Sequence, residues 1–307
     1  MSPAEAQLLE IDGRQIRITN LDKVLYPETG TTKAEVLHYY VTAAPAILPL
    51  LRDRPVTRKR WPDGVAHDPF FEKNMPRGAP EWVPRVTLHH SGERSGRGAR
   101  DIDYPLVDDV ATLAWLAQSG ALELHVPQWR IDRATDEALA PDHLVVDLDP
   151  GPPAGLAECA QVALLTRDML AGHGLEVYAV TSGSKGMQLY TPLPPTTERG
   201  RDLLERAGST SDYALVLARA LEQELPGLVV SKMSKDLRPG RIFVDWSQNN
   251  PAKTTIVPWS LRGKSRPTAS TPVPWSDVEK GTARQLSIGE AVDWYADHAH
   301  DLDALGG

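Results

Sequence analysis

The run Val145-Val146-Asp147-Leu148-Asp149-Pro150-Gly151 decides the fold that this sequence predicts. Its β-branched residues favour a strand, and side chains alternate across a strand, so Asp147 and Asp149 share one face. At about 3.3 Å per residue, the two carboxylates lie roughly 7 Å apart. Carboxylates this close repel each other unless a cation lies near them, and a divalent metal ion is the usual cation. Pro150 ends the strand because it has no N–H for the ladder.

A strand that ends in acids places them at the edge of a sheet, where sites of α/β proteins commonly lie. For an Asp-x-Asp taken alone, the alternative is a strand end with two solvated acids. Asp245 is a third candidate, because it also follows an apolar strand, Ile242 to Val244. Buried acids are unusual unless they are paired or bind a metal. Three carboxylates can hold two divalent ions for phosphoryl transfer, although the sequence does not place Asp245 beside Asp147.

The composition is that of a globular protein with a substantial core. The chain has 307 residues, 41% of them hydrophobic, which suffices for one large or two modest domains. Cys159 is the only cysteine, so an intrachain disulfide is impossible and a reducing compartment is indicated. Residues 1–10 have neither a basic nor an apolar region, and no run approaches about 18 apolar residues. We therefore expect no signal peptide and no membrane span.

The charge is acidic overall but uneven. A net charge of −8 argues against nucleic-acid binding by the whole surface. Basic residues nevertheless concentrate in Arg52–Arg60 and in Lys232–Arg266, which predicts local sites for an anionic ligand. Ordinary variation of surface charge is the alternative.

The local patterns predict one compact α/β unit over residues 1–307, and a division into two subdomains is compatible with them. Thr32 and Glu35 form a capping-box pattern for a helix that runs to about Leu51. Two internal prolines, at positions 45 and 49, should kink or split that helix. After the acid strand, a helical segment over 153–174 and a strand over 176–181 read as a βαβ unit. Residues 89–103 are rich in glycine and charge, which predicts a basic loop.

Other segments could bind a nucleotide. In Ser182-Gly183-Ser184-Lys185-Gly186, backbone N–H groups, hydroxyls and a lysine could surround a phosphate. The spacing is not that of a Walker loop, and a plain hairpin turn is favoured when the segment is considered alone. Arg262, after another strand, is a further phosphate ligand. Phe70 and Phe71 could stack on a base, although we expect one of them to pack inward. His125 could be structural or functional.

Taken together, these segments resemble the polymerase domain of bacterial ligase D, an archaeo-eukaryotic primase-type polymerase of non-homologous end joining. The resemblance covers almost the whole chain and implies an α/β fold with mixed central sheets and flanking helices. It rests on motifs in this order: Asn20-x-Asp22-Lys23-Val24-Leu25-Tyr26-Pro27, Thr57-Arg58-Lys59-Arg60-Trp61-Pro62, Phe70-Phe71-Glu72-Lys73, His125-Val126-Pro127-Gln128-Trp129, Asp147-Leu148-Asp149-Pro150-Gly151, Ser182-Gly183-Ser184-Lys185-Gly186, Phe243-Val244-Asp245-Trp246-Ser247-Gln248-Asn249 and Ser260-Leu261-Arg262-Gly263.

The resemblance implies roles for individual residues. The catalytic acids that bind two divalent cations, with Mn²⁺ preferred and Mg²⁺ also accepted, would be Asp147, Asp149 and Asp245. The nucleotide-binding residues would be Lys59, Phe70, Phe71, His125, Ser182, Lys185, Gln188 and Arg262. A pocket for the 5′-phosphate of a DNA strand would lie in the N-terminal portion and use Asn20, Lys23 and Lys33. Arg238 would position the primer end.

The resemblance also implies a function. The chain would be a template-dependent nucleotidyltransferase that fills short gaps or extends DNA ends and favours ribonucleotides over deoxyribonucleotides. Its partners would be gapped or broken DNA with a 5′-phosphate, nucleoside triphosphates, a Ku protein and a separate DNA ligase. It would act in the bacterial cytoplasm, at the nucleoid. Because the ligase motif Lys-x-Asp-Gly is missing and no room is left for a nuclease domain, we expect a stand-alone polymerase.

Two features depart from the family pattern. Gln188 stands where the family commonly has a histidine, in Lys-Gly-x-His, and glutamine cannot carry a charge to a phosphate. The loop over 92–100 is longer and more basic than the family pattern predicts. A DNA-end binding or bridging module with weak or no catalysis is therefore the alternative function. A haloacid-dehalogenase-like phosphatase is disfavoured, because that family has Thr or Val where Pro150 follows the second Asp.

Overall fold

The computed structural model describes residues 6–90 and 98–306. Within them the α-helices are α1 (Lys33–Leu51), α2 (Val110–Gln118), α3 (Leu156–Ala171), α4 (Glu198–Ala207), α5 (Thr210–Glu224), α6 (Trp275–Lys280), α7 (Ile288–His298) and α8 (Asp303–Gly306). Short 3-10 helices cover Lys235–Leu237 and Trp246–Asn249. Helices are thus interspersed among groups of strands along the chain.

The strands of the first half are β1 (Gln7–Ile11), β2 (Arg14–Ile18), β3 (Val24–Tyr26), β4 (Thr31–Thr32), β5 (Thr57–Arg60), β6 (Phe70–Glu72), β7 (Arg85–His90), β8 (Arg100–Pro105), β9 (Ala121–Val126), β10 (Trp129–Ile131) and β11 (Ala138–Pro141). Those of the second half are β12 (His143–Pro150), β13 (Tyr178–Thr181), β14 (Met187–Pro192), β15 (Val229–Val230), β16 (Ile242–Val244), β17 (Thr255–Ile256), β18 (Leu261–Gly263), β19 (Pro267–Ala269), β20 (Pro272–Val273) and β21 (Leu286–Ser287).

Two sheets dominate the described part of the chain. The larger has six strands in the order β15-β16-β12-β14-β13-β20, and the other has four in the order β17-β9-β5-β6. A three-stranded sheet, β18-β19-β21, adjoins β9 through β18. Only β15 and β16 pair in parallel in the larger sheet; its other pairs are antiparallel. These mixed sheets with flanking helices confirm the predicted fold class.

The predicted βαβ unit is present with one strand inserted. Strands β12 and β13 each pair antiparallel with β14, which lies between them, so β12 and β13 run parallel to each other. Helix α3 connects them and packs on β12 and β14. A helical crossover is the usual connection between parallel strands of one sheet.

Strand β12 separates two hydrophobic cores. Leu144, Val146 and Leu148 point to the core that includes α3 and α5. Val145 points the other way, into the core that includes α1 and α2. Because side chains alternate along a strand, Asp147 and Asp149 share the face of Val145. The two acids therefore end an apolar face that is directed towards the four-stranded sheet.

Helix α1 has the capping box predicted for it. The Thr32 side chain accepts from the Glu35 N–H, and the Glu35 side chain accepts from the Thr32 N–H. The expectation that Pro45 and Pro49 could split the helix is wrong: α1 is continuous, because its apolar residues are buried against α2, α7 and α8. By length and composition alone α1 could span a membrane, but 56% of that stretch is buried inside this fold, as in a core helix.

The predicted basic loop over 89–103 is partly a hairpin. Strands β7 and β8 pair from Arg85↔Pro105 to His90↔Arg100. The hairpin forms because Val86, Ile102 and Tyr104 bury one of its faces. Residues 91–97 lie outside the described residues, and so does most of the segment predicted to be longer and more basic than in the family.

Candidate active site

The three predicted acids come together through the pairing of two strands. Strand β16 runs antiparallel to β12, with Leu148 opposite Val244. Asp245 follows directly, and its N–H donates to the Asp147 carbonyl oxygen over 2.8 Å. Residues opposite each other in an antiparallel pair have Cβ atoms roughly 5 Å apart on the same face. The register thus supplies what the sequence could not, the position of Asp245 beside Asp147.

Asp147 lies in the least favourable electrostatic position of the three acids. Burial raises the pKa of its carboxyl to about 7, and the charges of Asp245 and Asp149 act in the same direction. The opposing contact comes from Gln188, whose Nε2 donates to Asp147 Oδ1 over 3.2 Å. Gln188 is itself buried, with its Oε1 accepting from the Tyr190 hydroxyl over 3.2 Å. Gln188, which stands where a histidine was expected, therefore contacts one of the predicted catalytic acids.

The other two acids are held by polar partners. Asp149 pairs with Lys185 (Nζ to Oδ1, 3.1 Å) and with Arg238 (Nη1 to Oδ2, 3.3 Å). Asp245 accepts from Gln248 Nε2 over 2.9 Å and from both the N–H and the hydroxyl of Ser247. Each acid thus has a fixed side-chain orientation.

The acid set has the right chemistry for divalent cations, although in the described conformation its oxygens serve other partners. Among residues 6–90 and 98–306, no group of three or more His, Cys, Asp or Glu side chains is arranged to hold a metal ion. Asp149 faces two cationic side chains, and Asp245 faces Ser247 and Gln248. Carboxylate oxygens suit Mn²⁺ and Mg²⁺, and a cation would offset the burial and the neighbouring negative charges that raise the pKa of Asp147.

The segment from Ser182 to Gly186 is a hairpin turn between β13 and β14, as predicted for this segment considered alone. Ser182 Oγ accepts from the N–H groups of Ser184 (3.2 Å) and Gly186 (3.1 Å). With both lone pairs used, the hydroxyl keeps its hydrogen for donation. A Cβ at Gly186 would lie 2.1 Å from the Leu148 carbonyl oxygen, so glycine allows the turn to lie against β12. Lys185 therefore reaches Asp149, and the turn also belongs to the site.

A second group of functional candidates surrounds Glu123, which the sequence analysis missed. The Glu123 side chain is only 2% exposed on β9. Its Oε2 lies 2.9 Å from His125 Nε2 and 4.0 Å from Lys59 Nζ, and its Oε1 lies 3.6 Å from Arg262 Nε. Burial opposes ionisation, but His125, Arg262 and Lys59 outweigh it and lower the pKa of Glu123 to about 2. An ionised carboxylate thus joins three predicted nucleotide-binding residues.

A sequence signal for Glu123 was available. Glu123 and His125 are two residues apart in an otherwise apolar strand, Ala121-Leu122-Glu123-Leu124-His125-Val126, so they share a face. An acid in a buried strand requires partners. The partner on β5 is Lys59, which lies opposite Glu123 in the register.

Arg262 connects the acids with the Glu123 group, and the region between them is the candidate cleft. The charge of Arg262 lowers the pKa of Asp147, in opposition to the larger effect of burial. Gly183 has a positive φ of 65°, and a Cβ there would lie 2.6 Å from Arg262 Cγ, so the turn packs directly on Arg262. Lys264, which the sequence did not single out, is a further cation near Arg262. Burial lowers the pKa of Lys264, and so do the charges of Arg262, Lys59 and Lys185.

Phe70 and Phe71 are both exposed, at 54% and 58%, so the expectation that one of them packs inward is wrong. They lie on β6, the edge strand of its sheet, where neither side chain reaches a core. Phe71 lies opposite Lys59 in the register, and its ring centroid is 6.4 Å from that of His125. Phe71 is therefore the aromatic residue beside the cationic group, and Phe70 points to the other face of the strand.

The three residues predicted to bind a 5′-phosphate also come together. Lys33, the first residue of α1, is 6% exposed, and its Nζ donates to the Thr19 carbonyl oxygen over 2.9 Å. Burial lowers the pKa of Lys33, and the charge of Lys23 lowers it further. Lys23 pairs with Asp63 over 2.8 Å, and its N–H donates to Asn20, whose φ of 53° turns the chain.

This cluster has the properties of an anion site. A lysine in the first turn of a helix is unfavourable, because that end of the helix carries a partial positive charge. A bound anion would stabilise Lys33 at this position together with the neighbouring Lys23. The N–H groups of Lys33 and Ala34 already donate to Lys23 and Leu21 carbonyls, so the side chains would make the contacts. The segment is tied to the cleft, since the Tyr26 hydroxyl donates to the Arg262 carbonyl oxygen over 2.8 Å.

Comparison with known proteins gives this arrangement a family. The family model for the primase-polymerase domain of LigD matches residues 32–302. This chain belongs to the LigD primase-polymerase family. The multifunctional non-homologous end joining DNA repair protein LigD of Mycobacterium tuberculosis H37Rv is 46% identical over 297 residues, and the bifunctional LigD of Bacillus subtilis is 28% identical over 280. The chain spans 37% and 42% of their lengths.

A solved structure of a LigD polymerase domain agrees in fold. The polymerase domain of Mycobacterium tuberculosis ligase D in complex with DNA superposes with a TM-score of 0.84 at 44% identity. The match covers 95% of this chain and 98% of that one. Membership of the LigD primase-polymerase family makes the chain an enzyme of the nucleotidyltransferase class. The haloacid-dehalogenase interpretation is therefore wrong.

Proposed function

We propose that the chain is a template-dependent polymerase that uses two divalent cations to fill short gaps or extend DNA ends in end joining, with a preference for ribonucleotides. The register of β12 and β16, which brings Asp245 opposite Asp147 in a cleft with Lys185 and Arg262, carries the proposal. Relatives named as end-joining proteins support the role, and a similar domain solved with DNA supports the substrate.

The acids of the cleft would hold the cations, and the basic residues would hold the nucleotide. Asp147, Asp149 and Asp245 are the proposed ligands for the cations, which when bound would polarise the attacking and leaving oxygens. Lys185 and Arg262 lie on either side of the Gly183 turn and would bind the triphosphate as charge-assisted donors. Ser182 would add its hydroxyl hydrogen.

Arg238 is placed to orient the primer end. Its guanidinium lies 3.8 Å from the centroid of the Phe243 ring, and its Nη2 donates to the Met233 carbonyl oxygen over 2.9 Å. These contacts fix the plane of the side chain while Nη1 faces Asp149. An arginine held beside an acid in this way would give the last backbone phosphate of the primer strand a fixed position.

The proposal is tested by incorporation of each ribo- and deoxyribonucleotide on a 5′-phosphorylated gapped duplex, with Mn²⁺ or Mg²⁺. We expect template-directed incorporation, faster with Mn²⁺ and with ribonucleotides. Tight, 5′-phosphate-dependent DNA binding with no incorporation in either metal would instead establish the bridging module. Adding purified Ku and a DNA ligase to the same duplex tests the proposed partners, because recruitment should raise the yield of joined product.

Replacing Phe71 with Ala is expected to raise the KM for the nucleotide about ten-fold, because one base-stacking contact is worth roughly 1–3 kcal/mol. Phe70→Ala is the matched control, since it removes an equally exposed phenyl ring from the opposite face of β6. Steady-state incorporation with both variants checks the prediction. Equal effects of the two substitutions would contradict the assignment of Phe71.

A further inference from the structure

We propose that Glu123 is a positioning residue: its buried carboxylate holds Lys59, His125 and Arg262 in the arrangement that receives the triphosphate. This inference rests on the proposed function and deepens it. It assigns a role to an acid that binds neither the cations nor the nucleotide, and that acts through three residues which contact the nucleotide.

The two carboxylate oxygens of Glu123 serve different sides of the cleft. Oε1 accepts from the Gly263 N–H over 3.0 Å and lies 3.6 Å from Arg262 Nε, so it is directed to β18. Oε2 lies 2.9 Å from His125 Nε2 on the same strand and 4.0 Å from Lys59 Nζ on β5. One side chain therefore joins the four-stranded sheet to the neighbouring three-stranded sheet at the point where both supply cations.

The group keeps positive charge available for a ligand. Against the single charge of Glu123 stand Lys59, Arg262 and, when protonated, His125, so the acid does not neutralise the cations. Arg262 Nε makes no hydrogen bond within the described residues, although it is buried, because 3.6 Å is too long for one. Glu123 thus attracts Arg262 by charge without using its Nε–H as a donor.

Removing the charge of Glu123 has two opposing consequences. The cleft becomes more positive, which would favour a triphosphate, but the cations then repel one another and lose the acceptor that orients them. A buried polar network loses its geometry when its central member is replaced. Glutamine keeps one acceptor oxygen and has an N–H₂ group in place of the other, so it cannot accept from both the Gly263 N–H and His125. We expect the loss of geometry to outweigh the gain in positive potential.

The test compares nucleotide binding with DNA binding in Glu123→Gln. We expect the Kd for a ribonucleoside triphosphate, measured by titration calorimetry with Mn²⁺, to rise at least ten-fold. KM should rise equally, kcat should change less than three-fold, and the Kd for a 5′-phosphorylated duplex should stay unchanged. Asp142→Asn is the matched control. Asp142 pairs with Arg54 (2.6 Å) and Arg130 (2.7 Å) outside the cleft, so this variant should melt earlier without a change in nucleotide Kd.

Two further variants distinguish the position of the Glu123 carboxylate from its charge and from a folding defect. Glu123→Asp keeps the charge but withdraws the carboxylate by one methylene, so nucleotide Kd should stay raised at least three-fold. Combining Glu123→Gln with Arg262→Ala should cost less than the sum of the single effects, because both act through one group.

The outcomes are distinguishable. Unchanged or tighter nucleotide binding by Glu123→Gln, or full restoration by Glu123→Asp, would overturn the positioning role. If Glu123→Gln does not fold, the nucleotide Kd of Glu123→Asp decides whether the positioning role is correct. Failure of the wild-type chain to bind or incorporate nucleotides would instead refute the proposed polymerase, whatever Glu123 does.

Discussion

Replacing Asp147 with Asn is expected to lower nucleotide incorporation by at least about a thousand-fold. Losing an acid that holds a cation removes several kcal/mol of charge stabilisation, and about 1.4 kcal/mol corresponds to each factor of ten in rate. The amide has nearly the shape of the carboxylate, so Gln188 and β16 should keep their places. Single-turnover extension in Mn²⁺ measures the loss, and binding to a 5′-phosphorylated duplex should persist. A variant that extends at the wild-type rate would refute the proposed role.

The same substitution is expected to stabilise the metal-free fold at pH 8. The pKa of Asp147 is raised from 3.8 to about 7, so the folded state binds a proton that the unfolded state has already lost. Stability therefore falls as the pH rises from about 4 to about 7. The Asp147→Asn variant has no carboxyl at this position and therefore does not lose this stability. The difference between its melting temperature and that of the wild type should shrink as the pH falls towards 4.

Thermal melting in a chelating buffer across that pH range measures the effect. Asp149→Asn is the control, because it gives up ion pairs with Lys185 and Arg238 and should gain no stability at pH 8. A lower melting temperature for Asp147→Asn than for the wild type at pH 8 would show that the carboxylate is not under electrostatic strain.

Replacing Lys33 with Gln is expected to abolish most of the preference for a 5′-phosphate, at least ten-fold in Kd. Lys33 is buried at the start of α1, beside Lys23. Its positive charge is therefore poorly screened by water. Lys23→Ala should have a smaller effect, because Lys23 is already paired with Asp63. The salt dependence of binding should weaken by about one phosphate contact for each substitution.

The measurement compares gapped duplexes that carry a 5′-phosphate or a 5′-hydroxyl, at several salt concentrations. Lys280→Ala is the control, since Lys280 is an exposed lysine at the end of α6. If Lys33→Gln weakens both duplexes equally, the lysine contributes only general attraction, and the pocket lies elsewhere.

Local patterns predicted well what depends on neighbours in sequence. The alternation in β12 placed Asp147 and Asp149 on one face, and Thr32 with Glu35 gave the start of α1. The position of Asp245 depends on which strands pair, which periodicity does not specify. The Glu123 group depends on three strands meeting, so the apolar strand around Glu123 could indicate a buried acid but not which cations pair with it. The prediction that Pro45 and Pro49 could split α1 failed because burial of the helix against other helices outweighs the hydrogen bonds that the prolines remove.

Val145 packs in the core of α1 and α2, while its neighbours Leu144 and Val146 belong to the other core. Two separately packed cores thus meet along β12, the strand that ends in Asp147 and Asp149. The placement of these acids is consequently inherited from the side-chain volumes on both faces of this strand. Drift in those volumes during evolution would shift the acids relative to the four-stranded sheet even if all three acids were retained.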